Sequence, residues 1–185
     1  MTLTDKTGLR FQNTPIAGAM RAGTVVWRKG EPPFKRLTPA MTSATTPSPF
    51  VVTYNGTGNP KDGAGWNAFD QKPSTQLHSG SGQTTGFWCA VDLGAMRNVK
   101  NCVMTSRDAA PYQQDTPSQV TIQSSADGTS WHTEKTVSGI PVPPAPNSVF
   151  LDEQLDFTAR HIRFEFVNTR GRGYQVISEI ELYGF

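Results

Sequence analysis

From residue 50 onward the chain alternates apolar and polar side chains in short runs, broken by Gly, Pro, Asn and Asp. That is the period-two pattern of strands with one buried face. Strands are predicted over Phe50–Tyr54, Gly86–Leu93, Val99–Ser106, Ser118–Ser124, His132–Val137, Ser148–Asp152, Arg160–Val167 and Val176–Tyr183. Cys89, Val91 and Leu93 share one face of their strand, and Ile162, Phe164 and Phe166 share one face of theirs, so both faces are assigned to the core. Asp127-Gly128 lies between two such runs and reads as a hairpin turn, because Gly tolerates the positive φ of tight turns. Gly94 to Asn98 reads as a second hairpin, and Pro141 to Pro146, which cannot supply ladder donors, as an irregular connection.

Ahead of this region, Thr38 to Pro49 is rich in Pro, Thr and Ser, has no apolar period, and reads as a linker. Before it, the stretch from Ile16 to Gly30 holds two apolar runs around Gly23, enough for a small anchor hairpin but not for a core. The organisation expected is therefore an N-terminal anchoring segment over 1–37, a linker over 38–49 and one all-β domain over 50–185. Seventeen glycines and fourteen prolines agree with many turns and few helices.

A formal charge of +2 is too slight to argue for nucleic acid, which calls for clustered Lys and Arg. Arg170-Gly-Arg172-Gly-Tyr174 can stack on bases, but it is one short loop without a basic face around it, so no nucleic-acid partner is expected. No apolar run approaches eighteen residues, and the first ten residues lack the pattern of a secretory signal. Membrane insertion is not expected either. Cys89 and Cys102 are too few for a disulfide scaffold, and whether they are bridged or free stays open. His78 to Gly86 is glycine-rich but lacks the Gly-Lys-Ser/Thr ending of a phosphate loop. The three histidines, His78, His132 and His161, fall in different predicted elements, no Gly-x-Ser-x-Gly occurs, and no catalytic residue is nominated.

Five segments taken together carry a resemblance: A-F-D-Q-K-P-S-T from Ala68, F-W-C-A-V-D-L-G from Phe87, V-K-N-C-V-M-T-S-R from Val99, V-T-I-Q-S-S-A-D-G-T-S-W from Val120, and S-E-I-E-L-Y-G from Ser178. In this order they resemble the discoidin domain, also called the coagulation-factor type C domain, and its carbohydrate-binding relatives, over roughly residues 50–185. The resemblance implies a jelly-roll β-sandwich that binds a ligand, commonly a sugar, through loops at one end, with a structural Ca²⁺ nearby. Carried over residue by residue, the metal set is Asn67, Asp70, Lys72, Thr75, Ser178 and Glu179, with side-chain and main-chain oxygens of the hard kind Ca²⁺ takes. Gln71 stands where the family usually has Gly, and Leu77 where an aromatic is common; a metal-free loop held by hydrogen bonds from Asp70 to backbone amides is the other reading.

The same resemblance places the sugar against Arg107 and Tyr174, with His78, Tyr112, Arg170 and Arg172 completing the pocket. An aromatic platform and a planar multi-donor side chain suit a pyranose, whose apolar face stacks while its hydroxyls need partners. The plain alternatives are an ion pair of Arg107 with Asp108 or Asp115, and a Tyr174 that only covers the core. Gly23-Thr-Val-Val-Trp27 faintly resembles hairpins of bacteriophage tail and head accessory proteins. The expected function is therefore a non-catalytic carbohydrate-binding protein that attaches a phage-like particle, assembled in the cytoplasm, to cell-surface polysaccharide. Particle or tail proteins would be held through the N-terminal segment, and self-association stays open. The alternative is a structural virion accessory protein whose sandwich contacts other subunits and binds no sugar.

Overall fold

The computed structural model describes residues 34–57, 63–110 and 112–185, together with the backbone of four N-terminal strands. Those four are β1 (Arg10–Phe11), β2 (Thr14–Pro15), β3 (Gly18–Arg21) and β4 (Thr24–Arg28), paired antiparallel as β1 with β2 and β3 with β4. The β3–β4 pair falls where the anchor hairpin is expected; Ile16, Gly23 and the side chains of Val25, Val26 and Trp27 lie outside the described residues.

Two long strands organise the rest, β8 (Phe87–Thr105) and β11 (Val149–Val167). They pair antiparallel twice: Phe87 to Asp92 run against Phe166 to His161, and Val99 to Thr105 against Phe157 to Val149. β6 (Val51–Tyr54) flanks the first half of β8, and β13 (Glu179–Gly184) flanks its second half. β9 (Gln119–Ser125) joins the later half of β11, β10 (His132–Ser138) joins β9, and β5 (Lys35–Arg36) joins β13. The remaining pair is β7 (Leu77–His78) with β12 (Val176–Ile177). Among the described residues the regular structure is strand apart from short helical turns, and the architecture is the expected jelly-roll β-sandwich.

One core cluster draws on both halves of the long ribbon. Cys89, Val91, Leu93, Val120, Ile122, Ile162, Phe164 and Phe166 come from one half, and Cys102, Met104, Leu151, Ile180 and Leu182 from the other. The inward faces read from alternation are the buried faces. Phe87 packs on Phe166 with ring centroids 5.4 Å apart, and each such buried side chain contributes about 1.5–3 kcal/mol relative to exposure. Cys89 and Cys102 are both buried free thiols, and burial pushes both pKa values up. The Asp127-Gly128 turn is present between β9 and β10, with Gly128 at φ 76°.

Three expectations are corrected. Gly94 to Asn98 is a bulge inside one strand, not a hairpin: Asp92 opposes His161 and Arg97 opposes Ala159, so β8 carries extra residues where β11 carries one. Gly94 takes φ 73°, and a Cβ there would stand 2.2 Å from Pro49 Cγ, so its conformation serves the bulge and the close approach of Pro49. Second, Ser148–Asp152 and Arg160–Val167 belong to one strand, because Leu155 and Ala159 bury the stretch between them. Third, residues 38–49 are not a free linker. Thr38 and Met41 are buried, Met41 N–H donates to Phe69 O at 3.0 Å, and Val52 N–H donates to Ala44 O at 2.8 Å. Met41 supplies the apolar anchor that a linker lacks.

Candidate functional site

What brings the two distant motifs together is the two-residue ladder β7–β12, in which Val176 opposes His78 and Ile177 opposes Leu77. It sets Tyr174 beside His78 on one side and Ser178-Glu179 beside the Asp70 loop on the other. Leu77, Val176 and Ile177 are buried, which holds this short ladder to the core.

The Asp70 loop follows a 3-10 turn, Gly65–Phe69, whose Ala68 and Phe69 are fully buried and present Asp70 at its end. Gln71 adopts φ 63°, the left-handed conformation for which Gly is the usual residue, at a cost of roughly 1–2 kcal/mol. Asp70 Oδ1 accepts from Lys72 N–H at 2.9 Å. Thr75 Oγ1 stands 2.9 and 2.8 Å from the two Asp70 carboxylate oxygens and 2.8 Å from Lys72 O. One hydroxyl carries one proton, so it satisfies only one of those three acceptors. The loop docks on the last strand through Ser178 Oγ–H donating to Pro73 O at 3.1 Å. Asn67 turns its amide to Gln76 O at 3.1 Å, and its main-chain carbonyl faces Asp70 N–H at 3.5 Å.

Glu179 is buried. Its Oε2 accepts from Arg36 Nη2 at 3.2 Å, and its Oε1 is buried without a hydrogen-bond partner. Burial pushes the Glu179 carboxyl up to about 7; Arg36 opposes the shift and the nearby negative charge of Asp70 adds to it. Arg36, not anticipated from sequence, also lies 3.7 Å from Glu181 Oε2. An orphaned carboxylate oxygen and a hydroxyl crowded by three acceptors fit a hard cation with oxygen ligands. Two carboxylates are the only acids in this set, and among the described residues no cluster of three or more His, Cys, Asp or Glu forms a metal site.

The second group lies on loops that leave the same end of the sandwich. Asp115, buried at the end of the 3-10 turn Tyr112–Asp115, holds two arginines: Arg107 Nη1 reaches its Oδ2 at 3.2 Å, and Arg172 Nε its Oδ1 at 2.9 Å. The Arg107–Asp115 ion pair weighed from sequence is therefore present, with Arg172 added. Tyr174 is 39% exposed and does not merely cover the core; its ring meets His78 edge-on, centroids 5.0 Å apart. His78 Nδ1 bonds to Ser79 O, which helps hold the ring against Tyr174. Asn168 ties the loop down, its amide donating to Gln114 O at 2.9 Å and Tyr174 O at 3.2 Å. Arg170 stands apart from the expected pocket: its guanidinium bonds the carbonyls of Thr116 and Ile140, and burial lowers its pKa. The side chain of Tyr112 lies outside the described residues.

Comparison with known proteins bears on both groups. Residues 43–180 match the F5/8 type C domain family. No curated protein matches the chain. Among solved structures, CpGH89CBM32-5 from Clostridium perfringens, in complex with GalNAc-β-1,3-galactose, superposes with TM-score 0.63 at 14% identity, covering 72% of this chain and 94% of that one. Chitosan-binding module 1 from a chitosanase/glucanase of Paenibacillus sp. IK-5 gives 0.60 at 24% identity, covering 81% and 99%. The family 32 module of C. perfringens NanJ, in complex with galactose, gives 0.56 at 18% identity, covering 71% and 93%. At these identities the likeness is one of fold.

Proposed function

We propose a function from one premise: the chain belongs to the F5/8 type C domain family. The reading is a non-catalytic carbohydrate-binding module, steadied by a Ca²⁺ ion held by Asp70, Thr75, Glu179 and the carbonyls of Asn67, Lys72 and Ser178. The observation that carries it is the half-exposed Tyr174 ring, edge-on to His78, next to guanidinium groups fixed by Asp115. A pyranose lays its apolar face on such a ring and takes its hydroxyl partners from the arginines. Sugars bound by the similar modules, galactose and GalNAc-β-1,3-galactose, support the same class of ligand. The ion supplies charge that closes the Asp70–Glu179 cluster and so stiffens the loop leading into His78. Single sites of this kind bind weakly, so the test is a glycan array probed with a multivalent display of the chain. Binding by the parent, reduced about tenfold or more by Tyr174→Ala with an unchanged melting temperature, is the expected result. An array that stays blank with the multivalent parent overturns the reading and favours the structural-subunit alternative.

The finer reading is that the module tips a phage-like particle and attaches it to cell-surface polysaccharide. Beside the sequence resemblance of Gly23 to Trp27, its support is the polarity of the fold. Lys35 pairs with Gly184, and Phe34 packs on Phe185 with centroids 5.3 Å apart, at the far end of β13 from Glu179. Six strand residues, roughly 17–20 Å, therefore separate the entry of the N-terminal segment from the loop end. Removal of residues 1–33 should leave glycan binding intact and abolish incorporation into particles, read by co-sedimentation. Co-sedimentation of the truncated chain at the parental level overturns this part.

A further inference from the structure

One positive group already stands at the proposed ion site, the guanidinium of Arg36. Its Nη2 donates to Glu179 Oε2 at 3.2 Å, and its Nη1 lies 3.7 Å from Glu181 Oε2. The other Glu179 oxygen, Oε1, is buried and has no partner among the described residues. Arg36 belongs to β5, a strand of only two residues that follows the N-terminal segment in the chain and pairs with β13 through Lys35–Gly184 and Arg36–Tyr183. Beside it Leu37 N–H donates to Leu182 O at 2.7 Å. So short a ladder holds weakly by itself, and side-chain contacts add to it: Phe34 on Phe185, and Arg36 on the two glutamates. The tie to Glu179 is the more enclosed of the two ion pairs, since 6% of the Glu179 side chain is exposed against 24% for Glu181. Attraction between charges is stronger where water is kept out.

We infer that Arg36 is the built-in counter-ion of the acidic cluster and competes with a divalent cation for Glu179, so that ion binding and the seating of β5 oppose one another. The inference rests on the cation reading of this site and adds a link to the N-terminal segment. A cation on Oε1 and a guanidinium on Oε2 share one negative charge and repel each other, in a place where little solvent screens them. Arg36 has somewhere to retreat. Glu181 is already near its Nη1 and is better solvated, so Arg36 can exchange the enclosed pair for the exposed one, which is worth less to the attachment of β5. Coupling of this kind runs both ways: whatever holds β5 firmly against β13, including a partner bound to the N-terminal segment, weakens the ion by the same factor.

The test titrates calcium into the metal-free full chain by calorimetry, at one pH and ionic strength, with the parent beside Arg36→Gln. The variant should bind calcium about tenfold tighter. In chelator it should melt below the parent, because Glu179 has lost its ionic partner, and calcium should restore most of the difference. A second measurement needs no variant: hydrogen exchange at the Leu37 amide of the parent should quicken about fivefold or more when calcium saturates the site, while the amides of β8 and β11 do not quicken. Equal or weaker calcium binding by Arg36→Gln overturns the competition and leaves the cation site standing. Leu37 exchange that calcium leaves unchanged or slows does the same, and it decides the matter alone should the variant not fold. If the parent takes up no calcium, the inference falls together with the cation reading.

Discussion

Asp115→Ala is expected to cost about 3 kcal/mol of stability, a melting temperature lower by about 6–12 °C, and to remove glycan binding. The carboxylate is buried and each oxygen holds a different arginine, so its loss removes an ionic partner from both at once. Breaking a buried ion pair costs about 3–5 kcal/mol, because the surviving charge is left in a medium that solvates it poorly. Arg107, only 19% exposed at its side chain, bears most of that penalty, whereas Arg172 can turn toward water, which brings the expected loss to the lower end. Binding goes because Arg172 and Arg107 no longer present a fixed donor surface next to Tyr174. Asp115→Asn separates the two effects: it keeps the shape and one acceptor oxygen, so it should melt closer to the parent and still lose affinity. Chemical denaturation of both variants, beside their glycan titrations, checks this. Parental stability and affinity in Asp115→Ala would show that the two arginines are held by other groups and that Asp115 is dispensable.

How much of this was legible beforehand follows from how far each contact reaches along the chain. Period-two alternation found the buried faces through Cys89, Val91 and Leu93 and through Ile162, Phe164 and Phe166, because a strand's own side chains report its orientation. Gly94 was misread since a tight turn and a bulge both use Gly at positive φ, and only the partner strand decides between them. Leu155 and Ala159 are buried at odd positions of β11 whereas Ile162, Phe164 and Phe166 are buried at even ones, so the alternation changes phase at the irregularity between Ala159 and His161 and reads locally as a break. Met41 shows the opposite failure: one apolar residue in a Pro/Thr/Ser run has no local period, yet it is fully buried. In the candidate site, Asp70 and Thr75, named from the resemblance, are in hydrogen-bond contact, the charge of Asp70 is felt at Glu179, and Gln71 takes the left-handed conformation despite lacking the usual Gly. Arg36 could not be foreseen, since it meets Glu179 across 143 positions, and neither could the capture of Arg172 by Asp115 across 57.

Calcium should raise the melting temperature by about 5–10 °C at about a hundred times its dissociation constant, the equivalent of about 2.7 kcal/mol of binding to the folded state alone. Asp70→Ala should abolish the shift, because it removes one of two carboxylates and the acceptors against which Thr75 is set. The pH dependence gives a second signature. In chelator, Glu179 titrates near 7 in the folded protein against 4.5 for the ordinary group, mainly through burial, so the folded state holds its proton more tightly than the unfolded state does. Stability from this group is then fully present below about 4.5 and is lost as pH rises through about 7, since the unfolded chain releases the proton first. A bound cation reverses that cost: it meets the ionised carboxylate, including the Oε1 atom that otherwise lacks a partner. The gain from calcium should therefore be larger at pH 8 than at pH 5, and Glu179→Gln should flatten the pH response in chelator. Melting curves that coincide in chelator and in excess calcium at both pH values, together with no metal found in the purified protein, would rule the cation out and leave a loop held by the Asp70 hydrogen bonds alone.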